Sequence, residues 1–239
     1  MGVAGGLAGE SRREVVIAAA SNLSDVFREI GSQFEAETHI HPVFSFASTS
    51  VLAQQAIRGA PFDLIALADE THLEELEGKS LLVPGSRAVY AFGSLALWVP
   101  QGAAGIQRIE DLTTPSIKVI AIAKPELAPY GAAAVAALKH AGIWDLVRRK
   151  IVYAESVTMA KRLGTTGNAD AVLTAYPLVL REKGTVVLLE PHIHPPIGQA
   201  LGILATAASR ADAARFSQYI LTGPGKVIFQ KYGYQVPRR

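Results

Sequence analysis

The sequence predicts an α/β protein built as two similar lobes with a ligand cleft between them. Three observations lead there. Short apolar runs alternate with stretches whose apolar residues recur at helical spacing, the pattern of strands and helices in an open α/β sheet. That alternation occurs near the start of the chain and again through its middle. Finally, the 239 residues are 49% hydrophobic and 18% charged, ample material for two cores.

The elements follow in order. "EVVIAAA" reads as a buried strand, and Leu23, Val26, Phe27, Ile30 and Phe34 then form a helical stripe. "IHPVFSFA" is a second strand, and "SVLAQQAIRG" a helix closed by Gly59. "PFDLIALA" and "DETHLEELEG" complete a third strand–helix pair. "YAFGSLALWVP" is a longer strand with no helix directly after it. The pattern restarts with "IKVIAIAKP", the Ala-rich helix "GAAAVAALKHAGIW", the strand "KIVYAE", the helix "VTMAKRLGTTG" and the strand "ADAVLTAYP". "GQALGILATA" is a late strand, and two helices, "ADAARFSQYILTGPG" and "KVIFQKYGY", finish the chain.

Residues 14–93 with 203–239 are expected to form the first lobe, and 94–202 the second, with crossings near residues 95 and 203. Residues 1–13 are Gly/Ala-rich and then charged. They lack the apolar middle of a complete signal peptide and read as a remnant of one or as an added leader.

Composition narrows the function classes. The net charge is +2 and no Lys/Arg run occurs, so no nucleic-acid partner is expected. No apolar stretch reaches the roughly eighteen residues of a membrane span. With zero cysteines, disulfides, thiolate nucleophiles and Cys-ligated metals are excluded, and redox chemistry does not indicate a compartment.

In open α/β sheets, ligands bind beyond the carboxyl ends of the strands. Ser21 and Asn22 follow the first strand here; Ser48, Thr49 and Ser50 follow the second; "APYG" (128–131) and "ESVT" (155–158) end two strands of the middle unit. Each stretch also opens a helix, where unpaired backbone N–H groups and partial positive charge hold an anion without Arg or Lys. Ser, Thr and Asn are equally the preferred helix N-caps, so each position alone reads as a cap or as a ligand. Their recurrence at four strand ends favours a shared site.

Several of these segments also resemble the extracytoplasmic molybdate-binding proteins of ABC importers. The resemblance lies in "AAASNLSDVF", "SFASTSVLAQQAIRGAPFDLIALADE", "PELAPYGAAAVAALKHAGIWD", "AESV" and the closing "GPGKVIFQKYGY", and spans about residues 15–234. It implies a type II periplasmic-binding-protein fold, a periplasmic or otherwise extracytoplasmic location, a membrane permease as partner, a monomer and no enzymatic activity or cofactor. It also implies a ligand set for molybdate or tungstate: the Ser21 hydroxyl, Asn22, the Thr49 hydroxyl where Ser is usual, Tyr130 through its backbone N–H and in one branch its hydroxyl, and the Val157 N–H. Ser48 and Ser156 are secondary candidates. A Tyr ligand that some members add falls on Thr174 here, with Tyr176 two residues on, and is not carried over.

A set of pure donors suits a fully deprotonated dianion. Hydrogen phosphate would set its proton against a donor, at roughly 1–3 kcal/mol. Sulfate is excluded only by size, and tungstate is nearly the size of molybdate. Binding of sulfate or thiosulfate, or an enzyme on the same scaffold, are the alternatives. The repeated "HIHP" (39–42 and 192–195) lacks a patterned third ligand, so no cation site is expected. "GPGK" reads as a helix stop, "GTTGNAD" as a turn, and Trp98 and Trp144 as core. Asp63 and Asp69 read as strand-start and helix-cap residues, and no nucleophile-elbow motif supports a catalytic serine.

Overall fold

The computed structural model describes residues 13–100 and 106–237. The leader expected over 1–13 lies outside them, apart from Arg13, which opens the first strand.

Two five-stranded sheets organise the chain. The first, here lobe I, contains β1 (Arg13–Ala20), β2 (Ile40–Ala47), β3 (Leu64–Leu67), β4 (Ala88–Gly93) and β10 (Ile197–Ile203), in the order β2-β1-β3-β10-β4. The second, lobe II, contains β5 (Leu95–Val99), β6 (Ile120–Ala123), β7 (Ile151–Ala154), β8 (Ala171–Ala175) and β9 (Thr185–Leu188), in the order β7-β6-β8-β5-β9. Each sheet has three parallel strands, then an antiparallel strand beside them: β10 in lobe I and β5 in lobe II. The strands β1, β3, β6 and β8 are apolar nearly throughout because both faces of these sheets are covered.

The helices carry the expected stripes. α1 (Ser24–Thr38) buries Val26, Phe27, Ile30 and Phe34. Its Phe27 meets Phe44 of β2 and two rings from the end of the chain, Phe216 of α8 (Arg210–Thr222) and Phe229 of α9 (Pro224–Lys231), all within 6.1 Å. This aromatic cluster returns the last two helices to lobe I. Gly223 separates them: α8 stops there, as expected of "GPGK", while Pro224–Lys226 already open α9. α2 (Thr49–Ile57) and α3 (Thr71–Gly78) complete lobe I; α4 (Pro129–His140), α5 (Trp144–Val147), α6 (Val157–Thr165) and α7 (Tyr176–Val179) belong with lobe II.

Three details differ from the sequence reading. The long run "YAFGSLALWVP" is two strands in two sheets, broken at Ser94. β10 pairs with β3 and β4 from Ile197 onward, so the chain has re-entered lobe I before the crossing expected near residue 203. An apolar run reveals a strand but not which sheet it joins. β9 was not anticipated: it is a partly buried edge strand without clean alternation.

Candidate functional site

Four helix starts meet between the lobes. At the end of β1, Ser21–Leu23 form a single 3-10 turn that runs into α1. α2 starts at Thr49 after β2, α4 at Pro129 after β6, and α6 at Val157 after β7. Together they line a small, partly open cavity between the lobes. Lobe I lines it with Ala20, Ser21, Asn22, Ser48, Thr49 and Ala68; lobe II lines it with Ala128, Pro129, Tyr130 and Val157.

None of the ten lining residues is charged. Positive potential comes from the N–H groups of the helix starts, which have no partner within their helices. One larger surface cleft nearby is less suited to an anion, because Asp69 and Glu126 line it.

Each side chain has a defined job. The Thr49 hydroxyl accepts the Ala68 N–H at 3.1 Å, which leaves its own proton to donate. Ser48 lines the cavity, but its hydroxyl donates across the cleft to the Glu155 carbonyl. The Asn22 carboxamide spends both its N–H bonds elsewhere, on Gln199 Oε1 at 2.8 Å and Tyr234 Oη at 2.9 Å. Ser156 is not among the lining residues; its hydroxyl accepts the Met159 N–H and caps α6.

Tyr130 has two ends. Its backbone sits in the first turn of α4, after a proline that has no N–H to offer. Its ring continues out of lobe II into lobe I, where a Cβ at Gly93 would overlap the hydroxyl. That hydroxyl has no hydrogen-bond partner among the described residues. Burial above all, then the neighbouring Tyr234 and Tyr90 hydroxyls, push it well above the usual tyrosine range, so it stays neutral. Gly131 is a second close approach: a Cβ there would overlap the Ala123 carbonyl oxygen, so glycine lets α4 begin directly against the end of β6.

Further hydrogen bonds tie the lobes together at the cavity rim. Ser50 donates its N–H to the Leu127 carbonyl at 3.2 Å and its hydroxyl to the Glu126 carbonyl at 3.0 Å. Thr158 donates its hydroxyl to the Ser21 carbonyl at 3.0 Å.

The discounted residues do not line the cavity. The Thr174 hydroxyl donates to the Val157 carbonyl at 3.3 Å, and Tyr176 packs its ring against Gly233. The Asp63 carboxylate accepts the Val16 and Ser209 N–H groups, both at 2.8 Å, and Asp69 accepts the His72 N–H at 3.0 Å. Among the described residues no group of three or more His, Asp or Glu is placed to hold a metal ion. Gln199 and Tyr234, which hold Asn22, were not anticipated as site residues. The only signal for Tyr234 was the "KYGY" ending, and Gln199 had none.

A family model for bacterial extracellular solute-binding proteins matches residues 15–235. The chain is 31% identical over 225 residues to the molybdate-binding protein ModA of Rhodobacter capsulatus, across 92% of this chain and 88% of that one. It is 32% identical over 225 residues to ModA of Azotobacter vinelandii, across 92% and 89%. The solved structure of the Azotobacter vinelandii periplasmic molybdate-binding protein aligns with a TM-score of 0.91 at 28% identity, over 94% of this chain and 100% of that one.

Proposed function

The chain belongs to the bacterial extracellular solute-binding protein family, and from that premise we propose that it is a molybdate receptor of an ABC importer. Its lobes close on one MoO₄²⁻ ion outside the cytoplasm and present it to a membrane permease. Its named relatives are binding proteins, not enzymes. The observation that carries the reading is the small interlobe cavity whose lining includes Ser21, Asn22, Thr49, Tyr130 and Val157.

Ser21 and Thr49 donate through hydroxyls, and Asn22, Tyr130 and Val157 through backbone N–H groups. Burying a dianion costs much hydration, which charge-assisted hydrogen bonds must offset. Each such bond contributes about 1.5–3 kcal/mol, against about 0.3–1 kcal/mol for a helix dipole. Direct donors therefore set the affinity and the dipoles assist. Only the closed arrangement brings both sets of donors to the ion, so the ion stabilises closure by its differential contacts.

Tungstate, of nearly equal size, binds alongside molybdate in this reading. Sulfate is too small to reach both sets of donors at once. Calorimetric titration with molybdate, tungstate, sulfate and phosphate tests this: tight binding of the first two is expected, and sulfate binding as tight as molybdate would overturn it.

A further inference from the structure

We propose that Tyr234, assisted by Gln199, is a positioning residue that sets the site's selectivity among tetrahedral oxyanions. The inference rests on the oxyanion reading above and deepens it. Neither residue is among those lining the cavity, yet both hold one that is. Asn22 Nδ2 donates to Tyr234 Oη at 2.9 Å, and Tyr234 Oη donates back to the Asn22 carbonyl at 3.0 Å. The second Asn22 N–H goes to Gln199 Oε1 at 2.8 Å. The Ser21–Leu23 turn is thus tied at both a side chain and a carbonyl.

The tie is itself rigid. Gln199 is fully buried and Tyr234 is 3% exposed. The Tyr234 ring packs edge-on against Phe229 at 5.3 Å. Its neighbour Gln235 exchanges two backbone hydrogen bonds with Phe92, at 2.6 and 3.0 Å. The closing "KYGY" segment is therefore pinned to the end of β4, where the chain leaves lobe I.

Rigidity is what discrimination by size requires. Donors fixed at the radius of a large oxyanion cannot follow a smaller one inward. A turn released from Tyr234 would still offer its N–H groups, but it would relax around sulfate. Loss of the tie should cost molybdate more than sulfate, whereas general structural damage should cost both equally.

The test uses the full chain and its Tyr234→Phe, Gln199→Met and Tyr90→Phe variants. Molybdate affinity is measured by calorimetry, and sulfate affinity by competition against molybdate. Tyr234→Phe should bind molybdate about tenfold more weakly, the effect of about one misplaced charge-assisted donor, with a smaller loss for sulfate, so that the molybdate-to-sulfate ratio narrows. Gln199→Met should narrow it less. Tyr90→Phe is the matched control: its hydroxyl is also buried, with no partner among the described residues, and its ring lies 5.0 Å from Phe229. Its ratio should stay at the wild-type value. An unchanged ratio in Tyr234→Phe, or equal losses for both anions, overturns the proposal. If Tyr234→Phe does not fold, Gln199→Met decides by the same criterion. A wild-type chain that does not prefer molybdate overturns the oxyanion reading instead, and the wild-type titration alone reveals it.

Discussion

Lobe I brings the hydroxyls of Ser21 and Thr49 to the cavity beside the Asn22 backbone, and lobe II brings backbone alone. The polar side chains lining it from lobe I are Ser21, Asn22, Ser48 and Thr49. From lobe II come Ala128, Pro129, Val157 and Tyr130, whose hydroxyl lies at Gly93 instead. The sheets behind them share one strand order, so the contrast does not come from topology. It comes from what stands at each helix start. One lobe is adjustable one side chain at a time; the other is adjustable only by moving a helix.

The sharpest way to break the comparison is to move one. Gly131→Ala would place a methyl on the Ala123 carbonyl and push the start of α4 away from β6. Losing even one or two charge-assisted donors, at about 1.5–3 kcal/mol each, should weaken molybdate at least about tenfold. Titration shows the loss, and circular dichroism should show a chain still folded.

Next come the hydroxyls of lobe I. Ser21→Ala and Thr49→Ala should each cost roughly 1–3 kcal/mol of binding. Their effects on stability should differ. Thr49→Ala also strands the buried Ala68 N–H, so its Tm should fall, while Ser21→Ala should leave Tm nearly unchanged. Thr49→Ser keeps the hydroxyl and should recover both. If Ser21→Ala lowers Tm and spares affinity, Ser21 is only a helix-start residue.

Smaller effects belong to the rim. Thr158→Val removes the hydroxyl that reaches the Ser21 carbonyl across the cleft. One neutral hydrogen bond contributes about 0.5–1.5 kcal/mol, so stopped-flow should show molybdate release a few-fold faster.

The smallest effect separates stability from binding. Asp69, by hydrogen bond and then by charge, raises the His72 pKa above its ordinary value of 6.5, against the effect of burial. A raised folded value means that this contribution to stability is complete below about pH 6.5 and is lost as pH climbs through the raised value. Tm should therefore decline across that window in the native chain and less in His72→Gln. Molybdate affinity should stay flat, because no lining residue titrates there.

Much of this architecture was legible in the sequence because periodicity is a local signal. The strand–helix pairs of both lobes follow from apolar spacing, and the four strand ends follow from where each run stops. Orientation was not legible. Ser48 and Ser156 read alike as hydroxyls at helix starts, yet one donates across the cleft and the other caps its own helix. Asn22 reads as a donor for the ligand, yet its carboxamide turns to Tyr234, 212 positions away. The break at Ser94 was equally hidden, since an unbroken apolar run shows no change of sheet.

The backbone wall on the lobe II side has a consequence for any mutational survey. Replacing Val157 by alanine deletes a side chain and leaves its N–H in place. A scan of single substitutions would map the site almost wholly onto lobe I and report a half-site. Drift on the lobe II side would be just as quiet, so two chains could differ at position after position there and keep the same grip.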